Sequence, residues 1–224
     1  MKNIALFALL LGLHLSGFSQ DWQNLEKYRS ENTEDMKNMK EGSVVFMGNS
    51  ITEGWKQTRP SFFEENPYIC RGISGQTTPQ MLVRFRQDVI DLHPEVVVIL
   101  AGTNDIAGNT GPMTLEEILG NLKGMAELAR ANDITPILCS VMPAADYPWK
   151  PGMQPNIKIP KLNKMIEKYC QEEKIIFLDY FAAMDDGNNG TREELTYDGV
   201  HLTEDGYKFI EPMAQLAIKY ALAK

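Results

Sequence analysis

The run Glu95–Leu100, EVVVIL, constrains the fold more than any other segment. Its β-branched residues favour extended backbone, and no polar residue alternates with them from Val96 to Leu100. A strand with one face in water reads apolar and polar by turns, whereas an unbroken run needs cover on both faces. Such a strand belongs at the centre of a parallel sheet. Four further short apolar runs recur along the chain: Val44–Met47, Tyr68–Arg71, Ile134–Val141 and Ile175–Leu178. Segments with helical spacing of apolar residues follow them, at Thr78–Asp91, Thr114–Ala131, Asn156–Glu173 and Thr203–Leu222. Strands alternating with helices predict an α/β fold, a three-layer α/β/α sandwich around a doubly wound, five-stranded parallel sheet. No repeat or linker divides the chain, and 224 residues suit one domain.

The N-terminus reads differently. In MKNIALFALLLGLHLSGFSQ, Lys2 precedes an apolar run from Ile4 to Leu15, and small residues Ser16, Gly17 and Ser19 follow. This pattern predicts a secretory signal peptide over residues 1–19, cut after Ser19, and a secreted or periplasmic product. The apolar run is shorter than the ~20 residues of a spanning helix. No cysteine lies near the cut to carry a lipid, so no stable membrane anchor is expected. Residues 20–42 read as a helical extension, with Trp22, Leu25, Tyr28, Met36 and Met39 spaced for one face, and the main domain is expected over 43–224.

Loss of Lys2 takes the net charge from −8 to −9. An acidic chain without a basic run argues against nucleic acid as a partner. Cys70, Cys139 and Cys170 remain, an odd number set in or beside apolar segments, which predicts buried reduced thiols. Of three histidines, His14 leaves with the signal, so His93 and His201 remain.

In a doubly wound sheet the ligand crevice lies beyond the carboxyl ends of the strands. The loops expected there are Gly48–Glu53, Gly72–Thr78, Ala101–Gly111, Met142–Pro155 and Asp179–His201. In GNSIT, Ser50 follows the first strand, where it serves either as a helix N-cap or as a hydroxyl presented at the sheet top. In YDGVHLT, Asp198 stands three residues before His201, close enough to orient the ring and stabilise its imidazolium. A structural histidine and a turn-forming aspartate fit the same residues. His93 precedes Pro94 ahead of the central strand, at the other end of the sheet, so acid–base work by a histidine falls to His201. Gly75 in RGISGQTT and Asn104 in AGTNDIAG read as turn residues or as donors. With the Ser50 N–H, the Gly75 N–H and the Asn104 amide would make an oxyanion hole.

Taken together, GNSIT after the first strand, Gly75 in the second loop, GTND after the third strand and DGVHLT before the last helix resemble the SGNH, or GDSL, hydrolase family. The resemblance runs in family order from Val44 to the C-terminus. It implies a flavodoxin-like sandwich and acyl transfer, with Ser50 as nucleophile, Asp198 and His201 completing the triad, and Ser50, Gly75 and Asn104 forming the oxyanion hole. The family's first block carries Asp before the serine, and this chain has Asn49, which keeps the size and hydrogen-bonding reach without the charge. No metal or cofactor is implied. The chain also lacks G-x-G-x-x-G, a phosphate-binding G-x-x-x-x-G-K-[ST] and H-E-x-x-H.

The expected substrate is a small-molecule or glycan ester with a short acyl group, above all acetyl on a carbohydrate. Tyr147 and Trp149, in MPAADYPWKPGMQP, are expected at the crevice rim with Asn49 as a further contact, and Trp55 is expected to pack. Other readings are a lysophospholipase or thioesterase, and a non-catalytic glycan-binding module on the same scaffold.

Overall fold

A computed structural model describes residues 21–223. The signal peptide expected over residues 1–19 lies outside them. The five expected strands form: β1 (Val44–Gly48), β2 (Tyr68–Gly72), β3 (Val96–Leu100), β4 (Thr135–Cys139) and β5 (Ile176–Leu178). All neighbours pair in parallel, in the order β2-β1-β3-β4-β5. The unalternating run of β3 lies third of five and every residue in it is buried, as a strand covered on both faces requires. Pro136 stands inside β4 because Thr135 turns its N–H to Glu95 on the β3 side. The amide Pro136 lacks would have pointed toward β5, whose pairing begins only at Ile137.

Helices α1 (Arg29–Asn38), α2 (Ser50–Thr58), α3 (Pro60–Glu64), α4 (Thr78–Asp88), α5 (Thr103–Ile106), α6 (Leu115–Arg130), α7 (Pro155–Glu173), α8 (Tyr180–Met184) and α9 (Glu204–Leu222) complete the sandwich. The fold is the expected α/β/α sandwich. Three of these helices are single turns: α5 and α8 lie in segments expected as loops, and α3 in a segment with no assigned pattern. They are too short for hydrophobic periodicity to register. Helix α4 ends three residues early, and a 3₁₀ turn at Ile90–Leu92 leads to His93, which stands in the left-handed region before β3.

Trp55 packs as expected, stacked on Phe62 with ring centroids 4.7 Å apart and held by its indole N–H to Glu211. Cys139 and Cys170 are buried and Cys70 is half-buried, all as free thiols. Burial pushes the Cys70 thiol up to about 11 and the Cys170 thiol to about 12, so neither is a nucleophile at neutral pH.

The extension ahead of β1 keeps only part of its expected apolar face, with Tyr28 buried and Met39 packed against the core. Trp22 and Met36 stand in solvent, and α1 is attached through polar groups. The Tyr28 hydroxyl donates to the Gly72 carbonyl, and the Asn32 amide donates to Asp88 at 2.7 Å. Asn32 also accepts from Arg71 Nε at 2.8 Å, while the same guanidinium pairs with Asp35.

Asp88 leads into the interior. Arg84 and Asp88 are both fully buried on α4, 2.9 Å apart. The remaining Arg84 donors reach Gln76 Oε1 at 2.6 Å, the Gly48 carbonyl at 3.0 Å and the Arg71 carbonyl at 2.8 Å. One guanidinium thus ties the carboxyl ends of β1 and β2 to α4. Arg84→Met removes it and leaves Asp88 as an uncompensated buried charge. It should cost on the order of 3–5 kcal/mol, read as a lower urea midpoint at unchanged slope.

Candidate active site

Ser50 sits where β1 meets α2, but it does not cap the helix. Asn49 does, its side-chain oxygen accepting from Ile51 N at 3.0 Å. Ser50 is therefore the first helical residue, and its hydroxyl is left for a partner. That partner is His201 Nε2, 2.9 Å from Ser50 Oγ. On the far side of the ring, His201 Nδ1 lies 2.7 Å from Asp198 Oδ2. The structure joins the three expected residues in one hydrogen-bonded chain.

Both halves of this chain are braced. The 196–202 loop closes on itself, with Thr196 Oγ1 donating to the His201 carbonyl at 2.7 Å and Gly199 N donating to Thr196 Oγ1 at 3.0 Å. Asp198 Oδ1 accepts the amides of Val200 at 2.9 Å and His201 at 2.7 Å. Burial raises the Asp198 pKa. The His201 amide and ring and the Val200 amide outweigh it, and the net shift is downward, so the carboxylate stays ionised. Helix α9, directly after this loop, is fixed to α2 by the Tyr207 hydroxyl donating to the Ile51 carbonyl at 2.8 Å and by the Arg59–Glu211 ion pair. These bonds set the Ser50–His201 distance across 151 residues of sequence.

Gly75 and Asn104 follow β2 and β3, the two strands that flank β1, so both stand at the same end of the sheet as Ser50. Gly75 has φ +77°, which favours glycine although a Cβ there would meet nothing within 4 Å. Its N–H has no partner among the described residues, while its carbonyl accepts from Asn109 at 3.2 Å. Asn104 is buried. One hydrogen of its amide goes to the Gln76 carbonyl at 2.9 Å, which orients the group and leaves the second hydrogen available.

Two expected contact residues are placed otherwise. Asn49 is 1% exposed and spent on capping α2, so it positions Ser50 and does not face a ligand. Tyr147 is fully buried beneath Trp149, rings stacked with centroids 4.9 Å apart. A proline-rich loop carries one aromatic in and the next out, and sequence does not say which. Trp149 is 42% exposed and its ring lies 5.8 Å from that of His201, as expected of a rim residue.

The sequence reading missed Tyr197, Glu53 and Asp105. Tyr197 is 71% exposed and stacks on His201 at 5.9 Å; its position four residues before His201 in the same loop was the available signal. Glu53 accepts the Ser74 amide at 2.7 Å and pairs with Lys27, tying the Gly75 loop to α2. Burial raises the pKa of Asp105, whose Oδ1 accepts from Thr78 N at 2.8 Å and anchors α4 to the β3 loop. Among the described residues no cluster of three or more His, Cys, Asp and Glu could hold a metal ion. No described helix is long and apolar enough to cross a membrane.

If Asn49 acts only by capping, Asn49→Asp keeps the bond and should preserve both stability and turnover. Asn49→Ala should cost about 0.5–2 kcal/mol, measured by denaturant unfolding.

The fold has counterparts among solved structures. A Bacteroides fragilis NCTC 9343 protein assigned as an acylhydrolase superposes with TM-score 0.86 and 47% identity, over 91% of this chain and 99% of that one. A GDSL-like lipase of Bacteroides thetaiotaomicron VPI-5482 gives TM-score 0.83 and 46% identity, over 89% and 98%. The acetylxylan esterase Axe2 of Geobacillus stearothermophilus shares the fold, with TM-score 0.64 and 18% identity over 79% and 93%. An uncharacterized lipoprotein of Bacillus subtilis (strain 168), YqeF, is 37% identical over 75 residues, which are 32% of this chain and only 31% of that protein. The family model for GDSL-like lipases and acylhydrolases matches residues 46–209, from β1 into α9 and across every loop that carries the Ser50–His201–Asp198 chain. On that match, this chain belongs to the GDSL-like lipase/acylhydrolase family.

Proposed function

We propose that the protein is a serine ester hydrolase that removes short acyl groups, above all acetyl groups from carbohydrate hydroxyls, through an acyl-enzyme. The observation that carries this reading is the hydrogen-bonded chain from Ser50 Oγ through the His201 ring to Asp198. Ser50 attacks the ester carbonyl as His201 Nε2 takes its proton, and Asp198 holds the ring and stabilises the imidazolium. The Ser50 and Gly75 N–H groups and the free Asn104 hydrogen stabilise the oxyanion. His201 then protonates the departing alcohol, and water, activated by the same ring, releases the acid. Serine, histidine, aspartate and these donors supply every step, so the reaction calls for no metal or cofactor.

His201 must reach the leaving oxygen, so groups beside His201 contact the alcohol portion of the substrate. Those groups are Trp149 and Tyr197, two exposed rings within 6 Å of the imidazole. Rings of this kind suit the apolar faces of a sugar, and they favour a glycan acetate over a lysophospholipid or a thioester. Axe2, with the same fold, is named for acetylxylan. The leader-like N-terminal pattern supports action outside the cytoplasm, and the lipoprotein relative from Bacillus subtilis fits that location.

Ser50→Ala should lower p-nitrophenyl acetate turnover by about 10⁶-fold and abolish labelling by a fluorophosphonate probe. Asn104→Ala, which removes one oxyanion donor, should cost on the order of 100–1000-fold in kcat. Near wild-type turnover by Ser50→Ala would sink the mechanism. Brisk cleavage of long-chain esters without acetate release from acetylated sugars would replace the substrate.

A further inference from the structure

A polar cavity of about 490 Å³ opens beside the Gly75 loop, between Ser74 and Gly75 on one side and the segment ahead of α1 on the other. That segment is strapped down by its main chain. The carboxamides of Gln80, Gln76 and Gln87 donate to the carbonyls of Trp22, Gln23 and Leu25. The Asp21 carboxylate accepts the amides of Leu25 at 2.8 Å and Glu26 at 2.9 Å. These bonds leave the Trp22 side chain unspent, and it lines the cavity while 45% exposed.

The cavity is joined to His201 through two residues, Asn109 and Trp149. Asn109 lines it, donates to the Gly75 carbonyl at 3.2 Å and accepts from Trp149 Nε1 at 3.4 Å. A path therefore runs from His201 past the Trp149 ring and Asn109 to the cavity and Trp22.

The lining chemistry selects the occupant. Among the described residues no lysine, arginine or histidine lines the cavity, so a phosphate group finds no side-chain cation there. Asp21, the one carboxylate among the described lining residues, is already engaged by two amides. An alkyl chain would take water from the exposed Asn24, Ser74 and Thr110 without replacing its hydrogen bonds. What fits is a neutral, hydroxyl-rich ligand with an apolar face for an indole.

Resting on the carbohydrate-esterase reading above, we infer that this cavity is a second sugar subsite. Trp22 and its strapped segment bind a sugar beyond the one that carries the ester, and they set a preference for oligosaccharide over monosaccharide acetates.

The test compares wild type, Trp22→Ala and Trp22→Phe on p-nitrophenyl acetate, an acetylated monosaccharide and an acetylated oligosaccharide. Trp22→Ala should raise KM for the oligosaccharide roughly tenfold, with kcat and both smaller substrates unchanged, and Trp22→Phe should recover most of the loss. Equal kinetics for all three proteins on the oligosaccharide would overturn the subsite while leaving the esterase intact. Failure of wild type on p-nitrophenyl acetate would instead overturn the esterase reading. Calorimetry of a deacetylated oligosaccharide on Ser50→Ala, with and without Trp22→Ala, then decides the subsite without turnover. Trp22-dependent binding supports it, and binding indifferent to Trp22 removes it.

Discussion

Everything at the carboxyl end of the sheet hangs on a cation with no access to water. Arg84 gives its donors to the ends of β1 and β2, to Gln76 and to Asp88. Desolvation lowers its pKa, and the Asp88 charge opposes that. A guanidinium suits this place because it is planar, charged at any ordinary pH and supplied with five donors in a rigid fork. Gly48 immediately precedes the Asn49–Ser50 turn, and Gln76 follows Gly75. Ser50 and Gly75 are therefore held by the same buried group. Asp88 carries the connection outward through Asn32 to the extension, which makes α1 part of the site's foundation.

The second constraint is the seam between α2 and α9. The serine and the histidine come from opposite ends of the chain, and their hydroxyl–imidazole bond is as good as the docking of those two helices. Tyr207, buried, reaches the Ile51 carbonyl one residue past Ser50, and Trp55 stacks on both Phe62 and Tyr207. Aromatic packing on one face of the sheet is in this sense the ruler for the Ser50–His201 distance.

How much of this could be read in advance follows from the range of each interaction. The β3 run announced the sheet because burial on both faces leaves a local imprint on composition. Ser50, Asp198 and His201 could be picked out because each sits in a short motif at a strand or helix boundary. The Arg84 network was not legible, since only Asp88 lies one helical turn away and the Gly48 carbonyl, the Arg71 carbonyl and Gln76 are brought to it from elsewhere in the chain. Asn49 was misjudged for a related reason: a cap and a ligand contact look alike when only residue type is known. Tyr147 and Trp149 divided between core and rim by the local path of the loop, which no periodicity records. The extension kept only Tyr28 and Met39 of its expected apolar face against the core, because hydrogen bonds, with no sequence period of their own, do much of the work of holding it down.

The glutamine straps have an evolutionary implication. They grip carbonyl oxygens, which every residue possesses, and make no demand on the side chains of the segment they hold. Substitutions at Trp22 or Gln23 therefore leave the attachment in place while changing what faces the neighbouring cleft. Natural selection can thus rewrite the lining of this cleft through a few codons, apart from Ser50, His201 and Asp198 and without loss of these bonds.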